Sequence, residues 1–311
     1  MLRGVAVALL AAAMISAANF TAVEQQLDRG EYRSALNQLQ VVPAVERNAA
    51  WHLLASKAYD GLNDAARAVQ EAQQAIGMDR RNQAAYLQLA QVFLTRNTFV
   101  PAYEVLHDAL TAFPDSVLMR LGLGLALNGL QRYDEAVAAF TECLSRKPDL
   151  GPALDGLGTA CLNSGKYQEL VRVARDYMRG NPQDFRGYYY AAAGLQKSGA
   201  DAAQTEPLLR RSIECGPRFA AAHALLGKVL MQSGRAEAAL NPLREAIRLR
   251  PDYREAHYYL ATAYRMLGRA EDARREAAEV ARLNAQEDKP LPTLRYHRGP
   301  PATSPGEPRS K

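Results

Sequence analysis

The side chains of this chain that are best equipped for chemistry are its thiols and imidazoles. Three cysteines (Cys143, Cys161 and Cys215) and five histidines are spread over 311 residues. Zinc sites in short motifs need pairs of such ligands a few residues apart, and the spacing here fits no such pattern. His223 and His257 stand 34 residues apart, which indicates a recurring packing position. We therefore expect no metal site and no cofactor.

The carboxylate pairs are also poor candidates for acid–base chemistry. Asp134-Glu135 and Glu271-Asp272 each open a segment whose pattern predicts a helix. A carboxylate there interacts favourably with the positive end of the helix dipole. The sequence contains no phosphate-binding glycine loop, no nucleophile elbow and no His-Glu-x-x-His motif. We expect that the chain is not an enzyme.

A regular spacing of prolines organises the segments that carry these residues. The steps between successive members are 34, 34, 35 and 34 residues, for Pro114, Pro148, Pro182, Pro217 and Pro251. A leucine followed by glycine or alanine recurs in the same phase, and so does a later glycine. Glycine can end a helix in the left-handed conformation, and proline cannot continue a helix interior. Each repeat therefore predicts a helix, a glycine turn, a second helix and a proline turn.

These positions resemble the tetratricopeptide repeat. The copy that follows its signature best contains, in order, Leu123, Gly124, Leu127, Tyr133, Ala136, Phe140 and Pro148. The resemblance implies an all-α fold, a right-handed α-solenoid of tandem helix-turn-helix repeats. We place a tandem array of about seven repeats at residues 49–285 and a degenerate N-terminal repeat at residues 19–48.

Both ends of the chain differ from the repeats. Arg3 precedes an apolar run and the small residues Ser16, Ala17 and Ala18, which is typical of a signal peptide over residues 1–18. The alternative is that residues 5–18 form the first helix of the first repeat. Residues 286–311 are rich in proline and predict a disordered tail. We expect an exported protein, located in a bacterial periplasm, with no stable membrane span after signal cleavage.

The groove that first helices line in this family supplies the candidate binding residues. They are Leu121, Leu125, Asn128, Tyr189, Gln196, Lys197, Lys228, Gln232, Tyr258 and Arg265. The hypothesis is that an extended or helical peptide binds there, with apolar groups toward the leucines and acidic groups toward the lysines. The alternative is a solvated inner face with ordinary packing between repeats.

The run Tyr188-Tyr189-Tyr190 and the pair Tyr258-Tyr259 stand out in this groove. Tyr188 takes the packing position of the repeat. Adjacent helix residues point about 100° apart, so Tyr189 and Tyr190 cannot both be buried with it. We therefore expect exposed aromatic rings in the groove at both places.

The resemblance also makes Cys143 and Cys161 face each other in neighbouring repeats. In an exported chain they could form a disulfide. The alternative is two separate buried thiols that act as small apolar fillers.

The function that follows is recognition of other proteins. The net charge is +5, without a dense basic block, so we expect protein or peptide partners and no nucleic acid. We expect a non-enzymatic interaction scaffold or adaptor in a cell envelope, of open oligomeric state. The alternatives are a regulatory or substrate-docking subunit of an envelope enzyme complex, such as a glycosyltransferase, and a self-assembling structural protein.

Overall fold

The computed structural model of the chain describes residues 20–285. The predicted signal peptide (1–18) and the predicted tail (286–311) lie outside the described residues. Within residues 20–285 the regular structure is helical and no strand occurs, which confirms the predicted all-α class.

The helices follow one another in pairs joined by short turns. Helix α1 covers residues 20–28, α2 covers Tyr32–Gln40, and a short 3-10 helix covers Ala44–Glu46. Seven helix pairs follow in the part of the chain that the structure describes: α3 and α4 (Ala49–Gly61, Ala65–Met78), α5 and α6 (Gln83–Leu94, Phe99–Ala112), α7 and α8 (Val117–Gly129, Tyr133–Arg146), α9 and α10 (Gly151–Ser164, Tyr167–Gly180), α11 and α12 (Phe185–Lys197, Ala202–Cys215), α13 and α14 (Ala220–Gln232, Ala236–Leu249), and α15 and α16 (Arg254–Met266, Ala270–Asn284).

Contacts divide the described residues into two compact units, residues 20–126 and residues 127–285. In the first unit, α3 contacts α2, α4 and α5. In the second unit, α9 contacts α8, α10 and α11, and the same pattern recurs for α11 and α13. Each of these first helices therefore packs on its own second helix and on a neighbouring pair, as in a repeat stack.

The core of the first unit is built from large apolar side chains and one indole. Leu89, Phe93, Leu106 and Met119 are fully buried in one cluster. Trp51 is buried nearer the N-terminus, and its Nε1–H donates to the backbone oxygen of Leu39 at 2.8 Å. A buried side chain of this size stabilises the fold by about 1.5–3 kcal/mol, so α2 is held against α3 by both apolar burial and a hydrogen bond.

The core of the second unit repeats this arrangement along the chain. Phe140, Leu154, Leu157, Leu209 and Leu243 are fully buried. They come from α8, α9, α12 and α14, so both members of the helix pairs supply the core. This burial is what orients the first helices and, with them, the candidate binding residues.

One backbone position in the turn of each helix pair is left-handed. Its φ lies between 54° and 84° at Asn63, Asn97, Gln131, Gly165, Gly199, Gly234 and Gly268. The glycines adopt this conformation without strain, as the sequence predicts. Gln131, with φ 60°, adopts it despite a Cβ that this region disfavours. The repeat therefore imposes its turn geometry even where the sequence does not supply glycine.

Tyr188, His223 and His257 occupy the same position in their repeats, and their contacts explain the role of the two histidines. The side chain at this position forms a hydrogen bond with the backbone oxygen of the proline six residues earlier. The pairs are Tyr188 Oη with Pro182 at 3.1 Å, His223 Nε2 with Pro217 at 3.0 Å, and His257 Nε2 with Pro251 at 2.9 Å. Both imidazoles therefore serve to join the proline turn to the first helix.

Candidate protein-binding surface

Three of the predicted groove residues are joined by hydrogen bonds on two successive first helices, and a fourth lies next to them. Lys228 Nζ of α13 donates to Gln196 Oε1 of α11 at 3.2 Å. Gln196 Nε2 in turn donates to Gln232 Oε1 at 3.2 Å. Lys197 is exposed beside them. We call Gln196, Lys197, Lys228 and Gln232 the polar patch.

The electrostatics of the polar patch favour an anionic ligand. Burial lowers the pKa of Lys228, and the charge of Lys197 lowers it further. Within residues 20–285 neither lysine makes a salt bridge. A carboxylate placed between them would relieve the repulsion of the two ammonium groups and replace the water that Lys228 has lost.

Aromatic rings from three helix pairs stand next to the polar patch. Tyr189 makes edge contacts with Phe219 at 4.9 Å and with Tyr190 at 5.0 Å between ring centroids. Lys228 Nζ lies 5.8 Å from the ring centroid of Tyr259. Burial raises the pKa of Tyr189, and Tyr253 and Tyr259 raise it further. These phenols stay neutral at physiological pH and keep their O–H donors.

Two of these rings, Phe219 and Tyr253, were not among the predicted groove residues. A signal for them exists, because Phe185, Phe219 and Tyr253 recur at 34-residue spacing just before or at the start of first helices. The rings of Phe185 and Phe219 are in contact, with centroids 4.6 Å apart. We call Tyr189, Phe219, Tyr253 and Tyr259 the aromatic wall.

The run Tyr188-Tyr189-Tyr190 is buried at one of its three positions only. Tyr190 is buried, whereas Tyr188 and Tyr189 are partly buried. The reason is Gly158 of α9, where an added Cβ would lie only 2.1 Å from the Tyr190 ring. The ring of Tyr190 thus occupies the space that this glycine leaves open. Tyr258 is exposed, as expected.

The remaining predicted residues take no part in the hydrogen bonds of the polar patch. In the first unit, Leu125 is exposed and Leu121 is partly buried on α7. In the second unit, Asn128 Nδ2 donates to the backbone oxygen of Gly156 at 2.8 Å, so this amide joins α7 to α9. Tyr258 and Arg265 are exposed on α15 and line a groove together with residues of α16.

Cys143 and Cys161 are both buried, but the disulfide between them is not formed, since Cys161 is a free thiol. Burial raises the pKa of the Cys161 thiol to about 12. The thiol therefore stays protonated and packs as a small apolar group.

Two stretches of the chain match known repeat families. Residues 102–150 match the tetratricopeptide repeat, and residues 227–268 match the family described as TPR repeat. A solved tetratricopeptide repeat protein from Parabacteroides merdae aligns at 18% identity with a TM-score of 0.62, covering 79% of this chain and 97% of that chain. The APC/C hetero-tetramer Cut9–Hcn1 aligns at 16% identity with a TM-score of 0.56, covering 88% of this chain and 55% of that chain.

One curated relative is similar over a shorter region. The peroxisomal targeting signal receptor of Candida albicans is 32% identical over 81 residues, which is 26% of this chain. The aligned region spans 14% of the length of the receptor.

The stacked helix pairs define the class of this protein, which is a helical repeat protein. The matched stretches and the shared fold show that this chain is a tetratricopeptide-repeat protein. Such repeats imply a protein–protein interaction scaffold. None of the helices within residues 20–285 has the length and apolar character that a membrane crossing needs.

Proposed function

We propose that the polar patch and the aromatic wall bind an extended segment of a partner protein that carries acidic side chains. The single observation that carries this proposal is the pair Lys197 and Lys228. Both are cationic, the pKa of Lys228 is lowered by burial and by Lys197, and neither has a carboxylate partner within the described residues.

The geometry suits a peptide rather than a free ion. Gln196 and Gln232 present amide donors and acceptors that match a peptide backbone. The aromatic wall offers apolar area with O–H groups at little cost in side-chain entropy. A hydrogen bond to a charged group contributes about 1.5–3 kcal/mol, so two lysines account for at least about a hundredfold in affinity when both engage.

Similar proteins support the proposal that the partner is a protein segment. Tetratricopeptide repeats bind protein partners, and the curated relative is by its name a receptor for a targeting signal. Recognition of a short segment of a partner is the activity that this chain and that receptor would share.

We further propose that the chain acts after export, in a bacterial periplasm. The support is the basic residue, apolar run and small residues at positions 1–18. Cell fractionation of the full chain and of a variant without residues 2–18 tests this. Export predicts that only the full chain reaches the periplasmic fraction in shortened form, whereas equal cytoplasmic retention of both would refute it.

In-cell crosslinking with mass spectrometry tests the proposed binding function. The test variant is Lys197→Glu with Lys228→Glu. The matched control is Lys147→Glu with Arg175→Glu, which changes the net charge equally at exposed positions outside the polar patch, at the end of α8 and on α10. We expect one or more partners to be lost from the test variant and retained by the control. A partner set that is the same for all three chains contradicts the proposal.

A further inference from the structure

The outer face of the last described helix pair carries a groove. It has a volume of about 450 Å³, and its lining includes Tyr258, Ala261 and Arg265 from α15 and Arg274, Ala277 and Val280 from α16. We call these six residues the end groove. No other helix within the described residues covers it.

The preceding pair shows what shape fits such a groove. The residues 34 positions earlier are Ala224, Gly227, Met231, Leu240, Leu243 and Ala246, and all of them are buried. Helix α15 packs on this pair, and its Leu260 and Tyr264 join the same apolar cluster as Met231 and Leu243. An α-helix is therefore the element that this face accepts.

The floor of the end groove lacks a side chain that fills the preceding face. At Gly227 the side chain of Leu243 fills the space, since an added Cβ would lie 2.4 Å from Leu243 Cγ. Ala277 stands where Leu243 would be, so this filling side chain is missing. Tyr258 replaces Ala224 and remains 54% exposed, which leaves a large ring at the apolar end of the groove.

Two charges distinguish the other end of the end groove. Arg265 and Arg274 replace Met231 and Leu240, on either side of the turn between α15 and α16. Arg265 donates to Thr262 Oγ1 at 2.9 Å on its own helix. Arg274 pairs with Glu271 at 2.7 Å, where both side chains are strongly exposed and the pair is weak. Both guanidinium groups thus remain able to meet an anion.

We infer that the end groove binds an amphipathic α-helix of a partner protein, whose apolar stripe packs on Tyr258 and Val280 and whose last turns carry acidic residues. A helix that runs in the direction of α15 would place its C-terminal end at Arg265 and Arg274. The helix dipole makes that end negative, and acidic side chains add to it. This surface differs from the polar patch and does not depend on the function proposed above.

A pair of stapled peptides tests this inference. Both peptides contain residues 253–268, which include α15, the helix that packs on the α13–α14 pair. A staple on the face directed away from the groove keeps each peptide helical. The acidic probe carries Arg265→Glu and Met266→Glu within the peptide, and the control probe keeps the native residues. Fluorescence anisotropy then measures the binding of each probe to the full chain and to full-chain variants.

We expect the acidic probe to bind the full chain roughly fivefold more tightly than the control probe, as two partly exposed charge pairs imply. The full-chain variant Arg265→Glu with Arg274→Glu should reverse this preference. The full-chain variant Tyr258→Ala should weaken both probes equally. All three side chains are exposed, so circular dichroism should show unchanged folding.

Four outcomes would overturn the inference. Two are failure of both probes to bind and equal affinity for the two probes. A third is sedimentation that shows self-association lost in the charge-reversed variant, since a second copy would then cover the groove. The fourth is a photo-crosslinker at position 258 that captures residues 286–311 of the same chain.

Discussion

At the scale of single residues, His223 and His257 act as packing residues with a polar edge. Each directs Nε2 at the backbone oxygen of a repeat proline, as Tyr188 does with its hydroxyl. His257 Nδ1 also lies 2.6 Å from Glu276 Oε2, so this ring joins α15 to α16 as well. A residue type that could bind metal is here explained by its place in the repeat.

The left-handed turn residue gives a prediction at the same scale. Gln131 adopts φ 60°, where a Cβ is disfavoured and glycine is not. Gln131→Gly should therefore raise the free energy of unfolding by about 1 kcal/mol. Urea denaturation followed by circular dichroism measures this. The reverse change, Gly165→Gln at φ 77°, should lower the free energy of unfolding by a similar amount. A change in the same direction for both variants would contradict the explanation.

At the scale of helices, the close approach of first helices depends on small residues. Tyr190 of α11 occupies the space above Gly158 of α9, and its hydroxyl lies 3.4 Å from the backbone oxygen of Asp155. This contact positions the helix that carries Gln196 and Lys197. The geometry of the polar patch therefore depends on a glycine in the preceding pair.

Gly158→Ala tests this dependence. The added Cβ would lie 2.1 Å from the Tyr190 ring, so the ring or the helix must move. Overpacking of this kind costs about 1–3 kcal/mol, and thermal denaturation should show the loss. The control is Gly180→Ala on α10, where no atom lies within 4 Å of the added Cβ. Equal melting temperatures for the two variants would contradict the account.

A salt bridge between helix pairs predicts a pH dependence. Glu206 of α12 accepts hydrogen bonds from Arg235 at 2.5 Å and from Arg210 at 2.6 Å. The hydrogen bond from Arg235, and then that from Arg210, hold the pKa of Glu206 below its usual value of 4.5. A lowered pKa in the folded state stabilises the fold above the usual pKa. That stabilisation is lost as the pH falls through the lowered value.

Glu206→Gln should consequently lower stability by about 0.5–1 kcal/mol at pH 7. The loss should shrink as the pH falls through the lowered pKa of Glu206, because the wild-type carboxylate is then protonated as well. Urea denaturation between pH 3 and pH 7 checks both points. The matched control is Glu214→Gln, whose pair with Arg211 is exposed and should matter little. A loss of stability that is the same at all pH values would rule out the electrostatic explanation.

At the scale of the whole molecule, the repeat could be predicted because each of its parts is local. Gly165 sets a turn by its own conformational freedom, and Pro148 limits a helix by its own ring. The position of Tyr190 could not be predicted, since it depends on Gly158, 32 residues away. Lys228 and Gln196 are likewise 32 residues apart, so their hydrogen bond reflects packing between pairs. The aromatic rings of Phe219 and Tyr253 could have been predicted from the repeat, because they share a repeat position with Phe185.

Recognition of acidic segments by the polar patch is tested most directly by a peptide array probed with the purified chain. The array should carry extended twelve-residue peptides in which Asp and Glu are replaced stepwise by Asn and Gln. We predict that binding falls with each acidic residue removed, and that the Lys197→Glu, Lys228→Glu variant loses this dependence while the Lys147→Glu, Arg175→Glu control keeps it. Binding that does not depend on acidic residues, or a dependence that the test variant retains, would contradict it.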